Sequence, residues 1–146
     1  MSVCTITKEE EIETIVSEVL SMLPQQNTAV VLALSGPLGA GKTTFVKVLA
    51  RQLGITEHVT SPTFVLMKSY NVSNHPWIKK LVHVDVYRIE GPDEVQVLNL
   101  PALYEEAGSL ICIEWAERIK KYIPKDALTI TIEHSGGETR KVTYGT

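Results

Sequence analysis

The sequence predicts an α/β fold, with a mixed, mostly parallel sheet flanked by helices, some antiparallel strands and a C-terminal hairpin. Three observations predict it. Two short runs, residues 28–35 and 109–113, are apolar on both faces, as central strands covered by helices are. The first of them passes through a Gly-rich turn into a helical pattern, a start that calls for parallel pairing. Alternating segments joined by short polar turns need no crossover helix and can pair antiparallel.

Taken in order, residues 7–23 place Ile12, Ile15, Val16, Val19, Leu20 and Leu23 at three- and four-residue spacings. That spacing predicts an amphipathic helix with Thr7 as N-cap and three glutamates in its first turns. Residues 24–27, opening on Pro24, break it before the strand over 28–35 (TAVVLALS). A helix over 42–53 follows and ends at Gly54. Next come a Ser/Thr/Pro loop at 60–63, an alternating strand over 64–70, a polar turn at 71–76 and a second alternating strand over 81–88. Two short helices fill 92–107, the apolar strand takes 109–113, and a helix runs over 116–122. Strands over 128–133 and 139–144 close a hairpin around Ser135-Gly136-Gly137.

A chain of 146 residues is expected to form a single domain spanning 1–146 and to bury a core without disulfides or a structural metal. Hydrophobic residues at 44 % and charged residues at 21 % exclude wholesale disorder. Its net charge of −3 argues against a free-standing nucleic-acid binder. Cys4 and Cys112 make neither a CxxC pair nor a disulfide framework, which fits a reducing, cytoplasmic setting. The longest apolar run, residues 29–34, falls far short of the roughly 20 residues that span a bilayer, so no membrane role is expected.

Gly36-Pro37-Leu38-Gly39-Ala40-Gly41-Lys42-Thr43 fits the phosphate-binding pattern GxxxxGK[ST]. Glycines allow successive backbone N–H groups to point into one anion-binding concavity, to which the following helix adds the positive end of its dipole. Lys42 can reach β- and γ-phosphates, and the Thr43 hydroxyl is placed to ligate Mg²⁺. The motif predicts a P-loop NTPase domain. A GTPase should also carry N/T-K-x-D and D-x-x-G, but Asp85 is followed by Val86-Tyr87-Arg88. A small-molecule kinase usually needs an arginine-rich lid; this chain has only Arg51, Arg88, Arg118 and Arg140, and no segment long enough. ATPase chemistry is the expectation that remains.

Two carboxylates stand out by placement. In the strand over 81–88, Val82, Val84 and Val86 face one way, and His83, Asp85 and Tyr87 the other, as a site wall would. Glu114 ends the second apolar run, at the strand end where open α/β sheets bind ligands. If that strand runs parallel to 28–35, Glu114 points at a cation held by Thr43. Thr60 and Thr63 lie where nucleotide switches put hydroxyls, though a plain turn reads equally well. Trp115 is placed to stack on a base or a partner, or to pack in the core. His58, His75 and His134 are scattered and expected at the surface.

Four stretches taken together, 38–45, 60–64, 83–88 and 113–118, resemble the TsaE family (formerly YjeE) from the first helix to the last hairpin. These are small bacterial P-loop ATPases needed to make N6-threonylcarbamoyladenosine (t6A) in tRNA. The resemblance implies ATP and Mg²⁺ as cofactors, weak hydrolysis alone, and partnership with the TsaB–TsaD complex, through which tRNA is met only indirectly. It implies phosphate and Mg²⁺ roles for Lys42 and Thr43 within a loop that includes Gly39, Ala40, Gly41 and Thr44. Glu114 takes the place of a second Mg²⁺ ligand and Asp85 that of a catalytic or switch carboxylate also close to the metal. Segment 60–63, with Thr63, matches a switch, and Trp115 a neighbour of the nucleotide. Ser35-Gly36-Pro37 replaces the family's more usual Gly-Asp or Gly-Glu, a change that should leave phosphate binding intact. The N-terminal segment and Gly136, Gly137 and Arg140 match loosely, and no adenine contact is carried over from them.

Overall fold

The computed structural model describes residues 1–60, 62 and 66–145. Among these, one sheet is built from β1 (Ser2–Ile6), β2 (Val30–Ser35), β3 (Met67–Asn71), β4 (Lys80–Asp85), β5 (Ser109–Glu114), β6 (Leu128–His134) and β7 (Arg140–Gly145). Their spatial order is β1-β7-β6-β2-β5-β4-β3. β6, β2, β5 and β4 run parallel, while β3 on β4, β7 on β6 and β1 on β7 are antiparallel. The mixed, mostly parallel sheet and the C-terminal hairpin are those expected from the sequence.

Helices α1 (Glu11–Met22) and α2 (Lys42–Gln52) cover one face. On the other lie α3 (Pro92–Val97), α4 (Leu100–Tyr104) and a 3-10 helix, Ala116–Tyr122. β2 shows why both layers form: Val30, Leu32 and Leu34 pack toward α1 and α2, and Val31 and Ala33 pack the other way. Its parallel partners β5 and β6 leave the carboxyl ends of the central strands together, with the loop that opens α2.

Several boundaries differ from those read in the sequence. The first helix starts at Glu11, not Thr7, and its N-cap is Glu10 with no capping side chain. Thr7 is instead tied back onto Glu11, whose Oε1 accepts from the Thr7 N–H, the Thr7 hydroxyl and the Lys8 N–H at 3.0–3.2 Å. Ahead of it lies β1, which alternation does not reveal because the small side chains of Ser2, which is polar, and Cys4 share the inward face with Ile6. The strand expected over 81–88 ends at Asp85, whose Oδ1 accepts the Tyr87 N–H at 2.9 Å and turns the chain. The strand expected over 64–70 is β3; residues 63–65, including Thr63, lie outside the described residues. Residues 116–122 coil as a 3-10 helix rather than α, entered through Trp115 in a left-handed conformation (φ 63°) and kinked at Ile119.

Candidate nucleotide site

The loop between β2 and α2 is shaped by its glycines. Gly39 and Gly41 adopt φ of 76° and 116°, and a Cβ at either would meet nothing within 4 Å, so the concavity above them is open. α2 begins at Lys42, directing its first N–H groups at this space. Ala40 is buried beneath the loop, and Thr44 lies at its far side.

Lys42 is buried, with 4 % of its surface exposed. Its Nζ donates to the Gly36 carbonyl at 2.5 Å and the Pro37 carbonyl at 3.0 Å, and lies 3.9 Å from the centre of the Trp115 ring. Burial pulls the ammonium below the usual lysine range, while the carboxylates of Glu114, Glu117 and Asp85 push it back up. Glu117 also accepts the Gly36 N–H at 3.2 Å, fastening the start of the loop.

Glu114, 2 % exposed, is the last residue of β5 and faces the head of α2. The Thr43 hydroxyl lies 2.9 and 3.0 Å from its two carboxylate oxygens and shares one hydrogen between them. Behind it, His83 Nε2 lies 2.5 Å from Glu114 Oε2. Asp85 is the register partner of Glu114 on β4, so the two carboxylates stand side by side at the strand ends. The parallel pairing of β2 and β5, anticipated as the condition for Glu114 to reach Thr43, is present. Leu38, Gly39, Gly41, Lys42, Thr43, Thr44, Asp85, Tyr87, Glu114 and Trp115 line one open pocket of about 290 Å³.

This donor set fits a triphosphate with a hard divalent cation. Among the described residues no group of three or more His, Cys, Asp or Glu side chains could hold a metal. A cation here would rest jointly on the Thr43 hydroxyl, a carboxylate and phosphate oxygens, as Mg²⁺ commonly does.

Of the alternatives left open for Trp115, core packing is present in part, and the ring also borders the pocket. Its ring is partly buried against the apolar layer under α3 and α4, yet it also lines the pocket and stacks near Tyr87, with ring centres 4.7 Å apart. Arg118 lies over both rings, at 4.9 Å from Tyr87 and 5.5 Å from Trp115. Arg88 is exposed past the end of β4. Thr60 lies farther along the chain and accepts from Lys68 Nζ on β3 at 2.6 Å. His58 and His134 are exposed as expected; His75 is half-buried, with Nδ1 accepting the N–H groups of Trp77 and Ile78.

A second cleft, about 190 Å³, opens on the other side of the same loop. Gly39, Ala40, Gly41 and Thr44 form its floor, Ile6, Thr7, Lys8, Glu9 and Ile12 one wall, and Glu138 and Arg140 the other. Sequence reasoning missed it, because its walls come from opposite ends of the chain and carry no motif. Only the pairing of β1 with β7 brings them together.

A family model described as "Threonylcarbamoyl adenosine biosynthesis protein TsaE" matches residues 6–142. The "tRNA threonylcarbamoyladenosine biosynthesis protein TsaE" of Bacillus subtilis (strain 168) is 44 % identical over 114 residues, 78 % of this chain and 68 % of the relative. Its counterpart from Streptomyces coelicolor is 40 % identical over 108 residues, 73 % of this chain and 70 % of the relative. The crystal structure of B. subtilis YdiB superposes with a TM-score of 0.74 at 33 % identity, covering 98 % of this chain and 83 % of that one.

Proposed function

The chain belongs to the TsaE family, and from that membership we propose that it is a Mg²⁺-dependent ATPase serving t6A formation in tRNA. In this reading it works in the cytoplasm with the TsaB–TsaD complex, meets tRNA only through that complex, and drives or resets its turnover. The observation that carries the reading is the convergence of the Thr43 hydroxyl and the Glu114 carboxylate beside buried Lys42 at the head of α2. Such a set of groups suits the holding of phosphates and a divalent cation, and so supports the reading.

Each residue then has a task. Gly39, Ala40 and Gly41 cradle phosphate oxygens with backbone N–H groups, and Thr44 closes the cradle. Lys42 moves from the carbonyls of Gly36 and Pro37 to the β- and γ-phosphates. Thr43 and Glu114, with Asp85 beside them, would hold Mg²⁺, which when bound would supply positive charge against the phosphates. Asp85 also orients the attacking water, and Trp115 shields the phosphates from solvent. The second cleft seats the nucleoside, with Ile6, Ile12 and Ala40 offering apolar contact and Lys8 and Arg140 polar edges. Thr63 is assigned to a switch segment approaching the γ-phosphate. A net charge of −3 supports a role for tRNA only at second hand. Among the described residues no helix is long and apolar enough to cross a membrane.

With few arginines near the phosphates, the site gains from a cation supplied by a partner, a contribution worth about 10³–10⁵ in rate in comparable enzymes. Phosphate release from ATP, measured with Mg²⁺ for the protein alone and with purified TsaB–TsaD, tests this. Slow release that rises many-fold with the pair is expected. Lys42→Ala should abolish nucleotide binding, and Asp85→Ala should keep binding while losing release. ATP bound but never cleaved, with or without the pair, would turn the protein into a nucleotide-gated binding module instead.

A further inference from the structure

His83 is wholly buried on β4, on the face covered by α1 and α2. Its neighbours in the same row are Cys112 on β5 and Lys68 on β3, and the strand positions two residues earlier, Leu81 and its partner Leu110, are apolar core. An imidazole in such a layer is expensive unless its polar atoms are used. One is used: Nε2 donates to Glu114 Oε2 at 2.5 Å. The other, Nδ1, has no hydrogen-bond partner among the described residues. Polarity has therefore been retained in the core for a single contact, and that contact is made to the carboxylate that faces the phosphate loop.

Glu114 is gripped from two sides. Thr43 contacts both carboxylate oxygens from α2, and His83 takes Oε2 from β4. A cation taken up on a lone pair of the Thr43 oxygen would leave that hydroxyl one hydrogen to donate, to a single oxygen of Glu114. The His83 contact, made from β4 to Oε2, would stay in place throughout. We infer that His83 is a positioning residue that fixes the Glu114 carboxylate for the divalent cation accompanying the nucleotide. This rests on the proposed meeting of Glu114 with that cation. Outer partners of metal-binding side chains typically change metal affinity by about 10–100-fold when removed.

The test separates cation affinity from nucleotide affinity. Binding of the non-hydrolysable ATP analogue AMP-PNP is measured by calorimetry, once with Mg²⁺ and once with EDTA, for the intact protein and for Glu114→Gln, His83→Leu and His83→Gln. His83→Leu fills the space without a donor, whereas the Gln amide can place its nitrogen near the position of Nε2. The expected result is that Glu114→Gln and His83→Leu lose most of the Mg²⁺-dependent gain, about tenfold or more for His83→Leu. For His83→Leu, binding in EDTA should stay where it is, and His83→Gln should recover most of the gain. A full Mg²⁺-dependent gain in His83→Leu, with Glu114→Gln deficient, would overturn the inference and leave the nucleotide reading standing. An equal loss with and without Mg²⁺ would reduce His83 to a fold role. A full gain in Glu114→Gln would overturn both, because the carboxylate would not be at the cation. Should His83→Leu fail to fold, His83→Asn, whose amide stops short of Glu114, carries the same expectation and the same refutation.

Discussion

A Cβ at Gly36 would lie 2.0 Å from the Ile132 carbonyl oxygen, at a φ of 141° that side chains avoid. The first residue of the phosphate loop is thus pressed against the backbone of β6, and no neighbouring side chain can move aside to make room. Gly36→Ala should destabilise the protein by at least about 2 kcal/mol, read from urea unfolding; a change within about 0.5 kcal/mol would mean that the loop shifts freely. At this scale the sequence was readable where chemistry is contiguous. Lys42 and Thr43 are named by one motif, and Glu114 by its place at a strand end. The bond from His83 to Glu114 was not readable. Alternation puts His83 and Asp85 on one face, but which residue of the next strand they meet depends on register, and register is fixed by the whole sheet.

The first helix shows how an element can be legible in its middle and obscure at its start. Ile12, Ile15, Val16 and Val19 are buried as their spacing requires. Its N-terminus is organised by Glu11, which reaches back to Thr7 and Lys8, so a polar stretch that reads as a first helical turn is a tight connection from β1. Those hydrogen bonds, led by the Thr7 N–H, hold the Glu11 carboxyl below its usual value of 4.5. A depressed carboxylate contributes stability above that value and loses it as pH falls through the folded-state pKa. Glu11→Ala should therefore melt below the parent protein at neutral pH, and the gap should close on acidification below about pH 4.5. A gap that persists undiminished in acid would assign the effect to helix propensity instead. The 3-10 helix is a different failure of local reading: residues 116–122 have ordinary helical composition, yet they coil as 3-10, entered through a left-handed Trp115 and kinked at Ile119.

Across the whole molecule, the sheet joins distant segments at one edge. β1 pairs with β7 from Ser2↔Tyr144 to Ile6↔Arg140, and Tyr144 secures α1 as well, its hydroxyl donating to Glu18 at 2.7 Å. The fold class was legible because it depends on the character of each segment, whereas the second cleft depends on this long-range pairing. If that cleft seats the nucleoside, ligand and sheet edge stabilise each other. Saturation with ADP at about 100 times Kd should add about 2.7 kcal/mol to global stability. Hydrogen–deuterium exchange should then slow at the amides of β1 and β7 as well as in the phosphate loop. Protection confined to the loop would place the base elsewhere.

That same pairing imposes an order on synthesis. A ribosome delivers the phosphate loop early, when residues 36–43 emerge, and β2 has no parallel neighbour until β5 follows some seventy residues later. The wall carrying Arg140 emerges about a hundred residues after the phosphate loop, and closing it on Ile6 is a long loop closure. If the second cleft seats the nucleoside, a growing chain holds the phosphate-binding motif long before the surface that would recognise a nucleoside, and competence to bind a whole nucleotide waits for β7.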